Sequence, residues 1–410
     1  MPKGKKSDKK QDKPEKQEKQ EKQEKQEKSE KQEKQAKQPK PEKQPKPLRI
    51  GIIGTGGIAH AHMNSYLKMG SAVEIVGGSD IVPGKARAFF DEFGLKDAKA
   101  FDNNDDLLAL DLDAVSVCAY NSSHAECTIK ALEAGLHVLC EKPMAVTLEE
   151  AVEMYRAAKK AKRILTIGFQ PRYDPNMDLV RDIVGSGALG DVYYIQTGGG
   201  RRRGMPGGTF IQKDLAGMGA LGDIGCYSLD MVLSAVGYPK PLTVSAYASD
   251  RFGKNPKYQP EWEKFDVDDF SVALIRLEGD IALDFRMSWA MHMDKMGDTM
   301  FLGTDAGLKV EPAAGGPGWE GWGGAWDGTI GPIHLYSDVQ GQLTETLIPL
   351  RSPNNDRFFS KVKAFCDAVS EGGGAPIPTI QSVYNQAIVD GIIRSSRSGR
   401  EVEIALPKDL

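Results

Sequence analysis

An apolar run, Leu48-Arg49-Ile50-Gly51-Ile52-Ile53, leads into Gly54-Thr55-Gly56-Gly57-Ile58-Ala59, and apolar residues then recur at helical spacing from Ile58 to Met69. A strand, a glycine turn and a helix in that order point to a βαβ unit whose turn cradles phosphate. Gly54 permits the tight turn, Gly56 lets a pyrophosphate approach the backbone, and the small Ala59 lets helix pack on strand. The helix N-terminus then faces the phosphates. The expectation is a dinucleotide-binding domain.

From 48 to about 170 short apolar strands alternate with amphipathic helices. Strands are expected at 48–54, 72–79, 113–119, 136–140 and 164–169, and helices at 58–69, 83–93, 123–134 and 147–160. Thr147 and Glu150 predict a capping box on the last of these helices. The alternation predicts an α/β chain that opens with a Rossmann domain over 48–170, a doubly wound parallel sheet with ligands beyond its strands' carboxyl ends. After Pro171 the strands lengthen and alternate, at 191–198, 242–249, 269–278 and 281–289, with shorter pieces near 300 and 345. Residues 171–410 therefore read as an α+β substrate-binding and oligomerisation domain with an open, mostly antiparallel sheet. Helices at 222–236 and 355–370 are expected to cover one face of it and leave the other for a partner subunit. A helix near 379–396 is expected to pack back on the Rossmann domain. A symmetric homodimer is expected from the open face, with Trp289 and its strand near the contact. The glycine-rich stretch 315–326 reads as a long loop.

Residues 1–47 are Lys, Gln, Glu and Pro with almost no apolar side chains, so they read as disordered or at most a solvated helix. They hold 17 lysines against 10 acidic residues, which leaves 36 basic and 47 acidic residues in 48–410, net −11. An acidic body argues against nucleic-acid binding; the tail reads as solubilising, or as a weak contact for anionic polymers. The tail lacks the apolar core of a secretory signal and a twin arginine, and no stretch approaches a membrane span, so a cytoplasmic location is expected. The five cysteines lack paired metal spacing and read as reduced, buried thiols. No metal site is expected; His60 and His62 read as packed or exposed positions on the first helix.

Asp80 closes the second expected strand, where an acid can accept from the adenosine ribose hydroxyls and repel a 2′-phosphate. That favours NAD over NADP, although Lys85 and Arg87 leave NADP open; otherwise Asp80 is a turn or capping aspartate before Pro83. Lys142, in Glu141-Lys142-Pro143, follows the strand at 136–140 and so lies at the sheet's ligand edge. An ammonium there can orient or protonate a substrate oxygen, with Pro143 restricting the backbone and Glu141 beside it to reach the cofactor. Asp223 and Tyr227 are four apart and share a face of a helix beginning near Asp223. Opposite a lysine they form a proton-transfer set; otherwise they are a first-turn acid and a packed aromatic. Arg201, Arg202 and Arg203 read as a solvated loop or as a clamp for an anionic substrate group. Trp319, Trp322 and Trp326 read as sugar-stacking or interface residues. His292 reads as a structural or pocket-facing histidine.

These motifs resemble the glucose-fructose oxidoreductase, inositol dehydrogenase and rhizopine-catabolism family (Gfo/Idh/MocA) over essentially all of 48–410. The resemblance runs through Asp113 to Glu126, Ala131 to Val138, Glu141-Lys142-Pro143, Gly168 to Tyr173, the Asp223 and Tyr227 pair and the strands from Asp269 to Trp289. It implies that Lys142 and Asp223 bind or polarise the substrate and that Tyr227 transfers the proton. It also implies cofactor contacts from Gly54, Thr55, Gly56, Gly57, Ile58, Asp80, Tyr120, Asn121, His124, Glu141, Lys142 and Arg172. The activity implied is hydride transfer between NAD, with NADP not excluded, and a secondary alcohol or ketone of a sugar, polyol or glycoside. Tightly bound NAD cleaving a glycoside by transient oxidation, or a non-catalytic dinucleotide-responsive regulator, are the alternatives. Tyr120 and Met218 depart from the usual family residues, and tyrosine at 227 leaves the sugar open.

Overall fold

The computed structural model describes residues 46–293, 296–312, 330–351 and 356–410. The expected tail, apart from Lys46 and Pro47, and the segment carrying Trp319, Trp322 and Trp326 lie outside the described residues.

The first sheet holds β1 (Leu48–Ile53), β2 (Val73–Ser79), β3 (Lys99–Phe101), β4 (Ala114–Val117), β5 (His137–Cys140) and β6 (Leu165–Ile167) in the order β3-β2-β1-β4-β5-β6. Every pairing in it is parallel. Its central strands are buried on both faces, so β4 reads as the unbroken small and apolar run Ala114 to Val117 rather than as an alternation. The helices that connect them are α1 (Gly57–Lys68), α2 (Lys85–Glu92), α3 (Asn104–Leu108), α4 (His124–Glu133) and α5 (Leu148–Ala161). The Thr147 hydroxyl accepts from Glu150 N–H and Glu150 reaches back to the Thr147 N–H, so the capping box on α5 is present. β3 and α3 are absent from the sequence reading because three and five residues are too short to display a period. The order of strands reverses direction between β1 and β4, which opens a crevice at their carboxyl ends.

The chain crosses to the second sheet through a 3₁₀ turn, Gln170–Tyr173, and α6 (Pro175–Gly185). That sheet contains β7 (Val192–Gly200), β8 (Pro241–Ser249), β9 (Phe270–Leu277), β10 (Ile281–Ser288), β11 (Thr299–Gly303), β12 (Ala306–Pro312), β13 (Ile330–Val339), β14 (Gln342–Ile348) and β15 (Val402–Glu403). Among the described residues its order is β14-β13-β12-β11-β7-β10-β9-β8-β15, antiparallel except between β7 and β10. Register places Val244, Ile275, Leu283, Ile195, Phe301 and Leu308 in one row, and all six are buried. The opposite face carries the row Leu274, Asp284, Gln196, Met300, Lys309, His334 and Leu347, of which Leu274 and Leu347 are exposed.

Between β7 and β8 lie α7 (Lys213–Ala216) and α8 (Cys226–Ala235), and the chain ends with α9 (Arg357–Glu371) and α10 (Thr379–Ser398). α8 packs on β7, and α10 lies against β8 on one side and α5 on the other. The helix expected at 355–370 does not cover the second sheet. As α9 it packs beside α1, with Val362, Phe365 and Cys366 in one cluster with Ile50, Tyr66, Ala114 and Leu139. The apolar stripe was legible, but its partner is the Rossmann sheet, whose strands need cover on both faces.

A buried ion pair ties the crossover to the helices. Arg172 donates from Nε and Nη2 to both oxygens of Asp230 at 2.7 and 2.9 Å, and from Nη2 to Gln381 Oε1 at 2.9 Å. Tyr238 places its ring 5.3 Å from the guanidinium and donates its hydroxyl to Asp230 Oδ1 at 2.8 Å. Truncating one partner leaves the other charge buried without compensation. Asp230→Ala is therefore expected to lower unfolding free energy by about 3–5 kcal/mol in urea denaturation, with Arg172→Met in the same chain restoring a large part of it. A loss below about 1 kcal/mol, the value of an exposed pair, would contradict this account.

Candidate functional site

The glycine turn after β1 is built as its sequence requires. Gly54 sits at φ +82°, and a Cβ there would lie 2.6 Å from the Cys118 carbonyl oxygen, so the turn passes against the end of β4 with no room for a side chain. A Cβ on Gly56 or Gly57 would meet nothing within 4 Å, which leaves the space in front of the turn open. No side chain caps α1 and its first turn carries no acidic residue. The N-terminus, from Gly57 and Ile58, thus offers N–H groups and dipole to an anion, and the cradle fits a dinucleotide pyrophosphate.

Asp80, at the end of β2, is ionised and held from several sides. Its Oδ2 accepts from the Thr55 N–H and hydroxyl, each at 2.9 Å, and Oδ1 accepts from Val82 N–H at 3.0 Å. Lys85 Nζ lies 3.0 Å from Oδ2. Burial works against the charge, but these donors outweigh it and lower the carboxyl pKa. The carboxylate thus ties the end of β2 to the glycine turn after β1. Arg87 faces elsewhere, donating to Asp91, Leu95 O and Ala98 O.

Beyond β4, Tyr120 precedes a 3₁₀ turn, Asn121–Ser123, and Asn121 Nδ2 donates to Ala216 O at 3.0 Å, linking this loop to α7. His124 is buried between two carbonyls, with Nδ1 2.7 Å from Pro143 O and Nε2 3.2 Å from Ala119 O. Burial lowers its pKa, so a neutral ring braces the segment that carries Lys142. Glu141 is likewise turned inward, where its carboxylate meets His62 and Lys361. Arg172 is occupied by Asp230 and Gln381. For these three residues the polar groups expected to reach the cofactor have protein partners, because a charge or ring this deeply buried needs them.

Lys142, Asp223 and Tyr227 do come together. Lys142 Nζ donates to Asp223 O at 2.7 Å and to Oδ1 at 3.1 Å, and stands 4.8 Å from the centre of the Tyr227 ring. Tyr227 donates its hydroxyl to Gln170 Oε1 at 2.8 Å and meets Phe169 edge-on. The Lys142 and Asp223 side chains keep 15% and 18% exposure, enough for a small molecule to reach them. Burial disfavours the ammonium, yet Tyr227 and Asp223 around it hold the Lys142 pKa above the ordinary lysine value. Burial raises the Tyr227 pKa as well, and the nearby Lys142 charge only partly offsets that. Both groups keep their protons near neutral pH.

The helix expected to begin near Asp223 opens with a π turn, Leu221–Gly225, before α8. Asp268 anchors that turn by accepting from Gly219 N–H at 2.7 Å and Leu221 N–H at 2.8 Å. Only glycine fits at 219, since a Cβ there would lie 1.8 Å from Asp268 O. Wide turns of this kind recur at functional sites.

Trp289 is not at an exposed sheet face. It is fully buried, and its Nε1 donates to Asp223 Oδ2 at 3.0 Å, so the indole fixes the carboxylate that Lys142 engages. It follows directly on β10, where the alternation of buried positions ends, so the strand pattern carried no sign of it. Arg201 is buried and donates to Gly204 O, while Arg203 lies over Tyr258 and Phe252 and donates to Met291 O. His292 belongs to that cluster, its Nδ1 3.3 Å from Arg203. Among the described residues no group of histidines, cysteines or acids is placed to hold a metal ion, and no helix is long and apolar enough to cross a membrane.

Residues 48–169 match the model of an oxidoreductase family with an NAD-binding Rossmann fold (GFO_IDH_MocA), and residues 177–309 match the GFO/IDH/MocA C-terminal domain. D-glucoside 3-dehydrogenase of Escherichia coli is 31% identical over 368 residues, spanning 87% of this chain and 97% of that protein. The fold is shared with levoglucosan dehydrogenase in complex with NADH, at TM-score 0.71 and 22% identity over 88% of this chain and 100% of that one. It is shared too with an aldose-aldose oxidoreductase from Caulobacter crescentus, at TM-score 0.69 and 23% identity over 87% and 99%. Two domain models matched in succession, and a curated relative aligned along nearly its whole length, show that the chain belongs to the Gfo/Idh/MocA family of NAD(P)-dependent oxidoreductases.

Proposed function

We propose that this protein is an NAD-preferring dehydrogenase acting on a secondary alcohol of a sugar, polyol or glycoside. The observation that carries the reading is the meeting of Lys142, Asp223 and Tyr227 beyond the carboxyl end of β5, on the same sheet edge as the open cradle of α1. Bound NAD supplies the hydride acceptor or donor at the nicotinamide C4. Lys142 binds a substrate oxygen and stabilises negative charge as it gathers there, and Asp223 accepts from a neighbouring hydroxyl. Tyr227 holds the transferable proton on its hydroxyl oxygen, turned in the free enzyme toward Gln170, and gives it to the substrate oxygen when a ketone is reduced; in the oxidising direction the same oxygen first releases its proton to water and then takes the proton of the alcohol. The glucoside and levoglucosan specificities in the names of two relatives support a carbohydrate substrate.

This reading includes a cytoplasmic enzyme that works as a homodimer or homotetramer through the outer face of the second sheet, where Tyr247, Leu274, Tyr336 and Leu347 are exposed. A monomeric mass in light scattering at micromolar concentration would remove that part of it.

Tyr227→Phe and Lys142→Ala are each expected to keep NAD affinity and to lose turnover by about 10² or more, the range of a positioned acid or base. Steady-state kinetics with NAD and a panel of sugars and glucosides measures this, and near-normal turnover in Tyr227→Phe removes it from proton transfer. Asp80→Ala is expected to raise the KM for NAD more than that for NADP, because a ribose contact and a phosphate repulsion disappear while Lys85 is released. An unchanged ratio of the two would leave Asp80 as a turn-holding residue alone.

A further inference from the structure

A second polar cluster lies inside the Rossmann domain, away from the crevice. His62 on α1 places Nδ1 3.0 Å from Ser116 Oγ and Nε2 2.7 Å from Glu141 Oε1, and Tyr66 one turn further on meets the same Ser116 hydroxyl at 2.6 Å. From α9, Lys361 Nζ reaches Glu141 Oε1 and stands 3.3 Å from His62 Nε2. Side-chain exposure is 0% for His62, 4% for Glu141 and 1% for Lys361. Three ionisable groups in a dry interior are costly to keep, and a well-packed apolar set of the same volume is often no less stable.

The position of Glu141 indicates what the cluster does. Its neighbour in the chain is Lys142, whose amide lies 3.4 Å from Oε2. On the other side a Cβ on Gly168 would lie 2.7 Å from Oε1, so the carboxylate is wedged against the segment that leads to Phe169 and Gln170, the partners of Tyr227. One carboxylate therefore touches the backbone behind Lys142 and the backbone behind the Tyr227 partners, and α1 connects it to the phosphate cradle.

We propose that Lys361 is a positioning residue for hydride transfer, its charge holding Glu141 and through it the seat of Lys142, and that His62 can take over that charge when Lys361 is absent. The proposal rests on the dehydrogenase reading for its kinetic consequence. Burial, and then the Lys361 charge, depress the His62 pKa in the native protein. The other ionisable groups around the carboxylate are Cys118 and His124 beyond β4, Cys140 on β5, Lys142 beside it and Tyr227 on α8. Burial keeps Cys118, Cys140, His124 and Tyr227 neutral, and Lys142 is engaged by Asp223. Without Lys361, His62 is the neutral group hydrogen-bonded to the Glu141 carboxylate and so the one placed to gain a proton, whereas His124 is turned to the carbonyls of Pro143 and Ala119. Its protonated form pairs with Glu141 at low pH, and that pairing is lost as pH rises through the His62 titration.

The test compares wild type, Lys361→Met, Lys361→Met with His62→Asn, and Lys361→Met with Glu141→Gln across a range of pH. Two readouts are taken: NAD-dependent oxidation of methyl glucoside, and acetylation of Lys142 by acetic anhydride followed by mass spectrometry, which needs no substrate. Lys361→Met is expected to bind NAD normally but to lose turnover by about 10²-fold at alkaline pH, the cost of misplacing a reacting group by roughly 1 Å. Turnover should recover as pH falls through the His62 titration, which burial sets below the ordinary histidine value, and His62→Asn should abolish the recovery. Lys142 labelling relative to wild type should rise where turnover is lost and return toward the wild-type rate where turnover recovers. The Glu141→Gln combination leaves no buried charge, so it secures a folded protein if Lys361→Met alone does not fold, and Lys142 should label fast in it at every pH. Wild-type labelling of Lys142 at alkaline pH in Lys361→Met, or at any pH in the Glu141→Gln combination, overturns the proposal, as does a turnover loss that neither pH nor His62→Asn alters. Wild type that turns over no sugar, with the labelling pattern intact, overturns the dehydrogenase reading and supports the seating of Lys142.

Discussion

A six-stranded parallel sheet whose central strands are buried on both faces needs helices on both sides, and much of this molecule follows from that demand. The Rossmann sheet takes part of its cover from α9, which arrives only after the chain has built the second sheet. α10 then runs between β8 and α5 and, by accepting at Gln381 and donating at Asn385, touches both the crossover turn and the start of α8. The two sheets thus share helices, and neither half of 48–410 completes its own core.

Shared cover places charges where water is absent. Lys361 with Glu141, Arg172 with Asp230, and Lys142 with Asp223 are three ion pairs at decreasing depth, with only the last open enough for a ligand. The inner two join elements distant in the chain and are high-stakes contacts, since removing one partner leaves a desolvated charge. The outermost pair lies where the same low dielectric strengthens the field on a reacting oxygen. Trp289 keeps the Asp223 carboxylate in place, and Gln170 gives the Tyr227 hydroxyl a partner in the free enzyme.

The strand, glycine turn and helix from Leu48 to Met69 were legible because each signal is local: a period, a missing Cβ, an exposed helix start. The strands named from the sequence in both domains lie within a few residues of their observed bounds for the same reason, whereas β3, β12, β13 and β15 were not read, and Lys142, Asp223 and Tyr227 could be placed once a strand end and a helix face were known. The protein partners of Glu141, His124 and Arg172 were not legible, and for one reason. Each is polar and near the ligand edge in sequence, but each side chain turns into the interior, and direction within a loop has no period to reveal it.

By itself, then, the amino-acid sequence determined the alternation of elements, the dinucleotide cradle and the strand end and helix face that carry Lys142, Asp223 and Tyr227, because backbone conformation and amphipathic faces are encoded over a few neighbouring residues. Only the tertiary structure decided that α9 covers the first sheet rather than the second, that Trp289 holds Asp223 instead of meeting a partner subunit, and that Lys361 answers Glu141 across 220 residues. An apolar stripe states that a helix must be buried without naming the surface it meets. A buried charge requires an opposite charge, and its place in the chain is settled only when the fold closes.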